Sequence, residues 1–415
     1  MAQIKAQRGT KDVLCNESYQ WQYVERVAAE VAKTFGYKEI RFPTFEDTAL
    51  FSRGVGETTD IVQKEMYTFT DKGGRSVTLR PEGTASVVRT LSEHGAWGGL
   101  LPVKAYYIIS AFRYEKPQAG RLREFHQFGV ECFGSSAPAS DVQTIKIGYT
   151  LLKKLGIEAT LNINSIGCPK CRGKFQEALK EYFTARKDDL CQTCNDRLER
   201  NPMRILDCKS PICKQIAASA PLITDYLCDE CRAHYEAVQS GLRDAGIAFV
   251  CDPHIVRGLD YYTKTVFEYL DPNGLALLAG GRYDGLVQEI DGKAEVCGLG
   301  FATGIERLIG AMTQAGHSFG GDAVPKVFIA SLGKEASLAS EKLADRIRQA
   351  GHFAETDILG RSLKAQMKYA DKIGAEYTVV LGDQEVAAQK AVLKSMASDF
   401  AQEMTFEEII NKLSE

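Results

Sequence analysis

Apolar and polar positions along the chain predict a mixture of helices and strands in its first part. Apolar residues recur at helical spacing over 21–31, which predicts an amphipathic helix that ends at Phe35–Gly36. The runs 38–43 and 76–80 are strand-like, and a second helix is expected to open at 81–84 and continue to about residue 94. This pattern predicts a domain that contains both helices and a sheet.

A hairpin is predicted where two strand-like runs enclose a polar loop. Residues 105–110 are aromatic and β-branched, and residues 125–132 alternate, which puts Gln127 and Glu131 on one face. The loop between them carries three arginines, Arg113, Arg121 and Arg123. A guanidinium fork suits phosphate oxygens, although a solvated hairpin tip would explain these residues equally well.

The carboxy-terminal part has a different pattern. After a Gly- and Pro-containing break at 320–325, strand-like runs at 327–330 and 377–381 alternate with helical segments. This alternation predicts a small α/β domain with parallel strand pairing. The last helix is expected to begin with a capping box from Thr405 to Glu408.

Length and charge narrow the class of protein. A chain of 415 residues is long enough for two or three domains, and its net charge of −3 argues against indiscriminate binding of nucleic acid. No apolar run is long enough to cross a membrane, and the first residues lack the apolar core of a secretion signal. We therefore expect a cytoplasmic protein.

Clustered cysteines mark residues 168–236 as a small inserted module. Reducing conditions disfavour disulfides, so thiols at this spacing suggest tetrahedral zinc sites, against the alternative of small buried apolar side chains. We favour nested pairing, in which the first and last pairs share one ion, over sequential pairing. The eight cysteines are Cys168, Cys171, Cys191, Cys194, Cys208, Cys213, Cys228 and Cys231.

Two further segments have more than one interpretation. In Arg257–Thr263 an arginine adjoins two tyrosines, which suits a pocket wall but also an ordinary turn with packed aromatics. In Gly298–Leu308 the glycine spacing is wrong for a dinucleotide fingerprint. We interpret the latter as a strand entering a helix, with Thr303 and Glu306 as a capping box and Arg307 in the first turn.

Taken in order, these segments resemble the histidyl-tRNA synthetase family. The strings that carry the resemblance are Phe112–Glu115, Arg257–Tyr262 and Gly304–Arg307, and it extends to Arg80–Thr84 and Gly280–Asp284. The segments around 113 and 307 look like the second and third motifs of class II synthetases, and Ile40–Phe51 looks like the first, a dimer-interface motif.

The resemblance implies an α+β fold of defined organisation. A class II catalytic domain with an antiparallel sheet and flanking helices is expected over 1–323, interrupted by the mainly helical cysteine-rich insertion at 168–236. A carboxy-terminal α/β anticodon-binding domain is expected over 326–415. The family also implies a homodimer.

The implied reaction joins L-histidine to tRNA(His) in two steps, with ATP and Mg²⁺ forming histidyl-adenylate first. By similarity, Arg113 and Arg257 hold the α-phosphate, while Glu115 and Arg307 bind other parts of ATP. Because the histidine carboxylate is itself the nucleophile, the protein needs only to position reactants and stabilise charge.

The resemblance also implies residues for amino-acid selection and tRNA contact. Glu82 and Gln127 would meet the substrate ammonium, and Glu131 and Tyr262 the imidazole, which offers one donor and one acceptor when neutral. The full histidine-binding set is Glu82, Thr84, Gln127, Glu131, Arg257, Tyr261 and Tyr262. The residues expected to contact the tRNA acceptor end are Gln118, Arg121 and Arg123.

The chain departs from the family pattern in two respects, and two other functions compete with this interpretation. Zinc is not implied by the resemblance, and 386–391 lacks the turn glycine expected in the last domain. A synthetase-like regulator of an ATP phosphoribosyltransferase would generally lack that domain and parts of the arginine set. A nucleic-acid-binding module on a scaffold would leave the arginines without a role.

Overall fold

The computed structural model describes residues 3–56, 59–117, 120–208 and 210–414. Contacts within the chain divide it into two units, Met1–Gly320 and Gly321–Glu415. Among the described residues, no helix combines the length and apolarity needed to cross a membrane.

The first unit is built on an eight-stranded sheet with the order β1-β5-β6-β11-β10-β9-β7-β8, and a three-stranded sheet with the order β2-β4-β3 lies beside it. The large sheet is antiparallel except for the parallel pairs β1-β5 and β7-β8 at its two edges. The strands are β1 (Lys38–Glu39), β2 (Phe45–Asp47), β3 (Tyr67–Thr70), β4 (Ser76–Leu79), β5 (Val103–Phe112), β6 (Glu124–Phe133), β7 (Thr160–Ser165), β8 (Val250–Cys251), β9 (Thr263–Leu270), β10 (Ala276–Arg282) and β11 (Gly298–Gly304).

Helices flank this sheet because their apolar stripes bury against it. In α1, Val24, Val27 and Val31 are buried at helical spacing, and Phe35 caps the end as the pattern predicts. The helices of the first unit are α1 (Ser18–Thr34), α2 (Thr48–Val55), α3 (Thr84–Glu93), α4 (Pro138–Lys154), α5 (Pro169–Thr184), α6 (Gln192–Arg200), α7 (Pro211–Ala217), α8 (Asp229–Asp244), α9 (Leu286–Asp291) and α10 (Ile305–Gln314). The predicted α+β class is confirmed.

The predicted hairpin is present as β5 and β6, which pair along their whole length. Strand β6 also pairs with β11, where Gln127 lies opposite Gly304 and Glu131 opposite Gly300. Because side chains alternate along a strand, Gln127 and Glu131 share one face, at the centre of the sheet.

The strand predicted over 38–43 is shorter in the structure and ends at Glu39. Beyond it, the carbonyl oxygens of Phe42 and Pro43 accept hydrogen bonds from the guanidinium group of Arg80, at 2.9 and 3.1 Å. The Arg80 side chain therefore bonds to carbonyl groups that would otherwise pair with a neighbouring strand.

The second unit is a five-stranded sheet with the order β13-β12-β14-β15-β16. The three strands on one side are parallel, as predicted, but β15 and β16 join antiparallel, so the sheet is mixed. Its elements are β12 (Val327–Ser331), α11 (Lys334–Gln349), β13 (Ala354–Thr356), α12 (Leu363–Lys372), β14 (Tyr377–Leu381), α13 (Asp383–Ala388), β15 (Lys390–Ser395), β16 (Ala401–Thr405) and α14 (Phe406–Ser414).

Two local features of this unit concern sequence predictions. The capping box is confirmed, since the backbone N–H of Thr405 donates to the Glu408 carboxylate and that of Glu408 donates to the Thr405 hydroxyl. The turn that lacks a glycine is made by Gln389, whose φ of 53° lies in the left-handed region.

Candidate active site and cysteine clusters

A cavity of about 270 Å³ opens above the centre of the large sheet. Arg113 enters it from the hairpin loop, Arg257 from the segment before β9, and Arg307 from the start of α10. Three guanidinium groups from distant parts of the sequence therefore share one space. The other predicted residues that line it are Glu82, Thr84, Glu115, Arg121, Gln127, Tyr261 and Tyr262.

Glu82 is buried at the amino-terminal end of α3. Its carboxylate accepts hydrogen bonds from the backbone N–H groups of Thr84 and Ala85, at 2.7 and 2.9 Å. Burial raises the pKa of Glu82, and the two N–H donors partly oppose that shift. The helix end thus holds the Glu82 carboxyl group in one orientation at the cavity wall.

Glu131 lies beneath the cavity and is surrounded by hydroxyl groups. Its carboxylate accepts from Thr84 Oγ1 at 2.7 Å, from the Tyr107 hydroxyl at 3.3 Å, and from the Tyr283 hydroxyl. Burial raises the pKa of Glu131 to about 8, although these hydroxyl donors act in the opposite direction. A Cβ atom on Gly300 would lie 2.0 Å from the Glu131 carboxylate, so only glycine fits opposite it.

Two buried polar atoms at the cavity have no partner within the described parts of the chain, Gln127 Oε1 and Arg257 Nε. The Arg257 side chain is held in place at its other end, where Nη1 donates to Glu268 at 2.9 Å. Buried polar groups are normally hydrogen-bonded, so one free acceptor and one free donor beside a cavity indicate a polar ligand.

The hairpin loop contributes an ordered wall to the cavity. Arg113 Nε donates to the Pro81 carbonyl at 2.8 Å, and Arg121 forms an ion pair with Glu115 at 3.2 Å. Arg123 is directed elsewhere: it donates to the Arg8 carbonyl at 3.3 Å and stacks over a tyrosine ring. Gln118 lies outside the described residues.

The start of α10 differs from the prediction. Its cap is Gly304, so Thr303 and Glu306 do not form a capping box. The Thr303 hydroxyl donates to the Leu277 carbonyl at 2.7 Å, and the Glu306 carboxylate accepts from the backbone N–H of His126 at 2.9 Å. Contacts with β10 and β6 therefore replace the local cap. Burial lowers the pKa of Arg307, and the adjacent Arg121 adds to that shift.

Aromatic rings close one side of the site. The ring centroids of Tyr261 and Tyr262 are 4.7 Å apart, and Tyr261 meets Tyr283 edge-on at 5.5 Å. Burial raises the pKa of Tyr262, with Arg257 opposing the shift, so its hydroxyl stays protonated at neutral pH. The wall is thus apolar, with hydroxyl groups attached.

Two residues of the site were missed by the sequence reasoning. Tyr283 donates to Glu131, and Glu268 holds Arg257. Glu268 could have been found as a charged residue among apolar neighbours in a strand. Tyr283 lies within Gly280–Asp284, a string that extends the family resemblance, but its residue type alone carries no signal, because a buried tyrosine is most often part of the core.

The eight clustered cysteines form two groups of four, in the nested arrangement that the sequence analysis favours. Within each group the sulfur atoms lie within 4.8 Å of one another. The first and last pairs, at the two ends of the insertion, form what we call the inner group, which is Cys168, Cys171, Cys228 and Cys231. The two pairs between them in the sequence form what we call the outer group, which is Cys191, Cys194, Cys208 and Cys213.

Sulfur distances in these groups suit a tetrahedral ion. Cys168 Sγ lies 3.6 Å from Cys171 Sγ and 4.0 Å from Cys228 Sγ, and Cys191 Sγ lies 3.9 Å from Cys208 Sγ. Four thiolates about 2.3 Å from one zinc ion would be separated by about 3.8 Å. A disulfide would bring the sulfur atoms to about 2.05 Å, so these thiols are not bridged.

An antiparallel sheet that carries arginines from a hairpin loop and from the start of a helix into one cavity defines the class: this is the catalytic fold of a class II aminoacyl-tRNA synthetase. The model of the histidyl-tRNA synthetase family matches residues 9–170 and 208–308, and that of the anticodon-binding domain matches 326–415. The chain belongs to the histidyl-tRNA synthetase family.

Individual relatives agree with this placement. A histidine–tRNA ligase of Caldicellulosiruptor bescii is 51% identical over 416 residues, and one of Acetivibrio thermocellus is 52% identical over 413 residues; each alignment covers 99% of both chains. The crystal structure of apo histidyl-tRNA synthetase from S. aureus matches with a TM-score of 0.85 at 38% identity, over 100% of both chains.

Proposed function

We propose that this protein attaches histidine to tRNA(His). The first step joins histidine and ATP as histidyl-adenylate and releases pyrophosphate. The second step transfers the histidyl group to the 3′-terminal ribose of the tRNA and releases AMP. The observation that carries this proposal is the convergence of Arg113, Arg257 and Arg307 on one cavity.

Arg113 and Arg257 bind the α-phosphate in this proposal. The substrate carboxylate attacks the phosphorus, and fixed guanidinium groups stabilise the charge that develops on its oxygens. The unpartnered Nε of Arg257 and the anchors of both side chains, on Pro81 and Glu268, support this role. Arg307 and Glu115 bind other parts of ATP, and Mg²⁺ neutralises phosphate charge when it accompanies the nucleotide.

Histidine is bound by two sets of polar groups. Its ammonium donates to Glu82 and to Gln127 Oε1, the acceptor that lacks a partner within the described chain. Its imidazole meets Glu131 and Tyr262, with Thr84 and Tyr261 holding that part of the site. A site that pairs both ring nitrogens rejects apolar analogues, because its own buried polar groups would otherwise stay unpaired.

The tRNA is bound by the rest of the chain. Arg121, Arg123 and Gln118 contact the acceptor end, and the unit matched as an anticodon-binding domain reads the anticodon. We assign the catalytic domain to 1–323, its insertion to 168–236 and the anticodon-binding domain to 326–415. The enzyme works in the cytoplasm.

A homodimer is the assembly that we propose. Phe45, in the segment that resembles the dimer-interface motif, is 58% exposed, and Leu100 is 93% exposed. A large exposed apolar side chain within a segment that resembles a dimer-interface motif is suited to a surface that a partner covers.

Pyrophosphate exchange tests the proposed reaction. Purified protein with Mg²⁺ is expected to incorporate labelled pyrophosphate into ATP only when L-histidine is present. Histidinol, which lacks the carboxylate nucleophile, is the matched control and should support none. A folded sample that shows no exchange with L-histidine would contradict the enzyme assignment.

Zinc in each cysteine group is a second proposal. The tetrahedral sulfur spacing supports it, as do backbone N–H groups that donate to sulfur: Cys228 N to Cys171 Sγ at 3.1 Å and Cys191 N to Cys213 Sγ at 3.3 Å. Gly167 precedes the inner group at a φ of +64°, where a Cβ atom would meet Cys171 Cβ at 2.5 Å. Bound zinc would cross-link parts of the insertion that are distant in sequence.

Metal analysis of protein prepared without added metal tests this proposal. Two zinc ions per chain are expected, and a Cys191→Ser, Cys208→Ser double variant should retain one. Replacing Cys251, an exposed cysteine outside both groups, by serine is the control and should leave the content at two. Less than one zinc per chain in the native protein would count against both sites.

A further inference from the structure

The segment from Arg257 to Tyr262 carries three of the proposed substrate-binding side chains, yet it lies in neither a helix nor a strand. It connects β8 to β9, and side chains from the cysteine-rich insertion bind it. Such a segment keeps its side chains in position only if other parts of the molecule hold it. We call residues 257–262 the histidine loop.

Three side chains of the insertion bind the histidine loop. Arg172 Nη1 donates to the Tyr262 carbonyl at 3.2 Å, and Asn201 Nδ2 donates to Asp260 Oδ1 at 3.2 Å. Arg204 Nη2 donates to the Gly258 carbonyl at 2.6 Å, next to Arg257. The insertion therefore holds the loop near both of its ends and at a side chain between them.

Arg204 and Asn201 are themselves held by Arg197, whose carbonyl accepts a hydrogen bond from the Asn201 backbone N–H at 2.8 Å. Arg197, on α6, donates to the Arg204 carbonyl at 3.1 Å and forms an ion pair with Asp60 at 3.1 Å. Asp60 immediately precedes Ile61, which lines the active-site cavity. This network thus reaches the cavity wall at two places, at Gly258 through Arg204 and beside Ile61 through Asp60.

The outer cysteine group encloses this network in sequence. Cys191 and Cys194 lie at the start of α6, Asn201 follows the end of α6, and Arg204 lies in the short 3₁₀ helix that leads to Cys208. An ion shared by these cysteines would close the chain segment that contains Asn201 and Arg204. Closing such a segment restricts its motion.

We propose that Asn201 and Arg204 are positioning residues for histidine activation, which hold the histidine loop in place, and that the outer cysteine group holds them. This inference rests on the proposed function, because the loop matters only if Arg257 and Tyr262 bind the reactants. Arg204 also lines a second cavity, of about 530 Å³, together with Arg113 and Arg121, where a tRNA phosphate could be bound instead. The hydrogen bond from Arg204 to the Gly258 carbonyl favours the positioning role.

Pyrophosphate exchange without tRNA tests the positioning role. We expect Arg204→Ala and Asn201→Ala each to raise the KM for histidine about tenfold, because part of the binding energy would be used to order the loop. Arg204→Lys should recover part of the loss, since an ammonium group can still donate to one carbonyl. Arg200→Ala, which changes an exposed residue adjacent to Asn201, is the control and should leave the KM unchanged.

Two outcomes would overturn the positioning role. Normal exchange combined with weaker tRNA charging in Arg204→Ala would assign this side chain to RNA binding. A loss in kcat as large as the expected change in KM, with KM itself unchanged and the midpoint of thermal unfolding lowered, would indicate general destabilisation of the variants. Failure of the proposed function is distinct, because the native protein itself would then show no histidine-dependent exchange.

The role of the outer cysteine group has its own test. Removing zinc from the native protein with a chelator is expected to raise the KM for histidine as Arg204→Ala does, and adding zinc alone should reverse the effect. In the Arg204→Ala variant itself, chelation should raise the KM little further. If chelation and Arg204→Ala have additive effects, the cysteine group does not act through Arg204. The Cys191→Ser, Cys208→Ser variant should show the same KM for histidine as the chelated protein. An unchanged KM in both would also reject the role of the outer cysteine group.

Discussion

Glu131 is a carboxyl group buried among hydroxyl donors rather than beside a cation. Burial raises its pKa to about 8, which favours the protonated form of Glu131 at neutral pH. The imidazole of histidine can act as donor or acceptor, so a carboxyl group that can do either is suited to it. The protonation state of Glu131 thus affects both the free energy of unfolding of the protein and its recognition of the substrate imidazole.

Stability should therefore depend on pH through Glu131. Its pKa in the folded state, about 8, lies above the ordinary value of 4.5, so stability falls as pH rises through the folded pKa. Between pH 7 and 9 the native protein should lose about 1 kcal/mol relative to Glu131→Gln, measured by urea unfolding. Glu403→Gln, at an exposed carboxyl, should track the native protein, and parallel curves for native protein and Glu131→Gln would refute the expectation.

Arg257 is the residue whose loss should cost most activity. Its Nη1 is occupied by Glu268, but its Nε is free within the described chain and available to a phosphate oxygen. Arg257→Ala should lower kcat for pyrophosphate exchange roughly a hundredfold, the usual cost of one preorganised charge donor. Arg53→Ala, at an exposed position on α2, should leave it unchanged. An unaltered rate in Arg257→Ala would remove this residue from the reaction.

Among the elements, α10 illustrates how tertiary contacts override a local signal. The Thr303 to Glu306 spacing fits a capping box, but both side chains bond to neighbouring strands instead. The matching pattern at Thr405 and Glu408 does form the box. Both sites look alike in sequence; they differ because Glu306 faces the backbone of β6 and Glu408 lies at an exposed helix end.

The turn between α13 and β15 offers a test of backbone strain. Gln389 has a φ of 53°, a conformation that costs a residue with a side chain about 1 kcal/mol relative to glycine. Gln389→Gly should therefore raise the free energy of unfolding by about 0.5–1 kcal/mol in urea. Gln402→Gly, within strand β16, should lower it by a similar amount. A destabilised Gln389→Gly protein would show that the turn is not strained.

At the scale of the whole molecule, each unit has its own hydrophobic core, which explains why the change in sequence pattern near 320–325 predicts a boundary. Strand and helix patterns alternate regularly in the second unit but not in the first. The insertion is the other clear change, because its cysteines form two groups of four, while apolar side chains such as Phe175 and Leu179 are buried as part of the large core.

Sedimentation velocity tests the proposed assembly. At micromolar concentration the protein should sediment as two chains of 45.7 kDa each. Phe45→Asp should weaken the dimer at least tenfold, because it puts a charge on a surface that would become buried. Ile212→Asp changes an equally exposed apolar residue of the insertion and should have no effect. A native protein that sediments as a single chain would contradict the homodimer.

Periodicity predicted the hairpin and the small α/β domain, and cysteine spacing favoured the nested groups, whereas the fold class and the shared arginine cavity were implied by the resemblance of short strings to the family. These features depend on residues whose type or local order carries the information. The free Nε of Arg257, the raised pKa of Glu131 and the hydrogen bond from Arg204 to Gly258 could not be predicted in this way. They arise where segments distant in sequence meet, because burial and hydrogen-bond geometry depend on every group that surrounds a side chain.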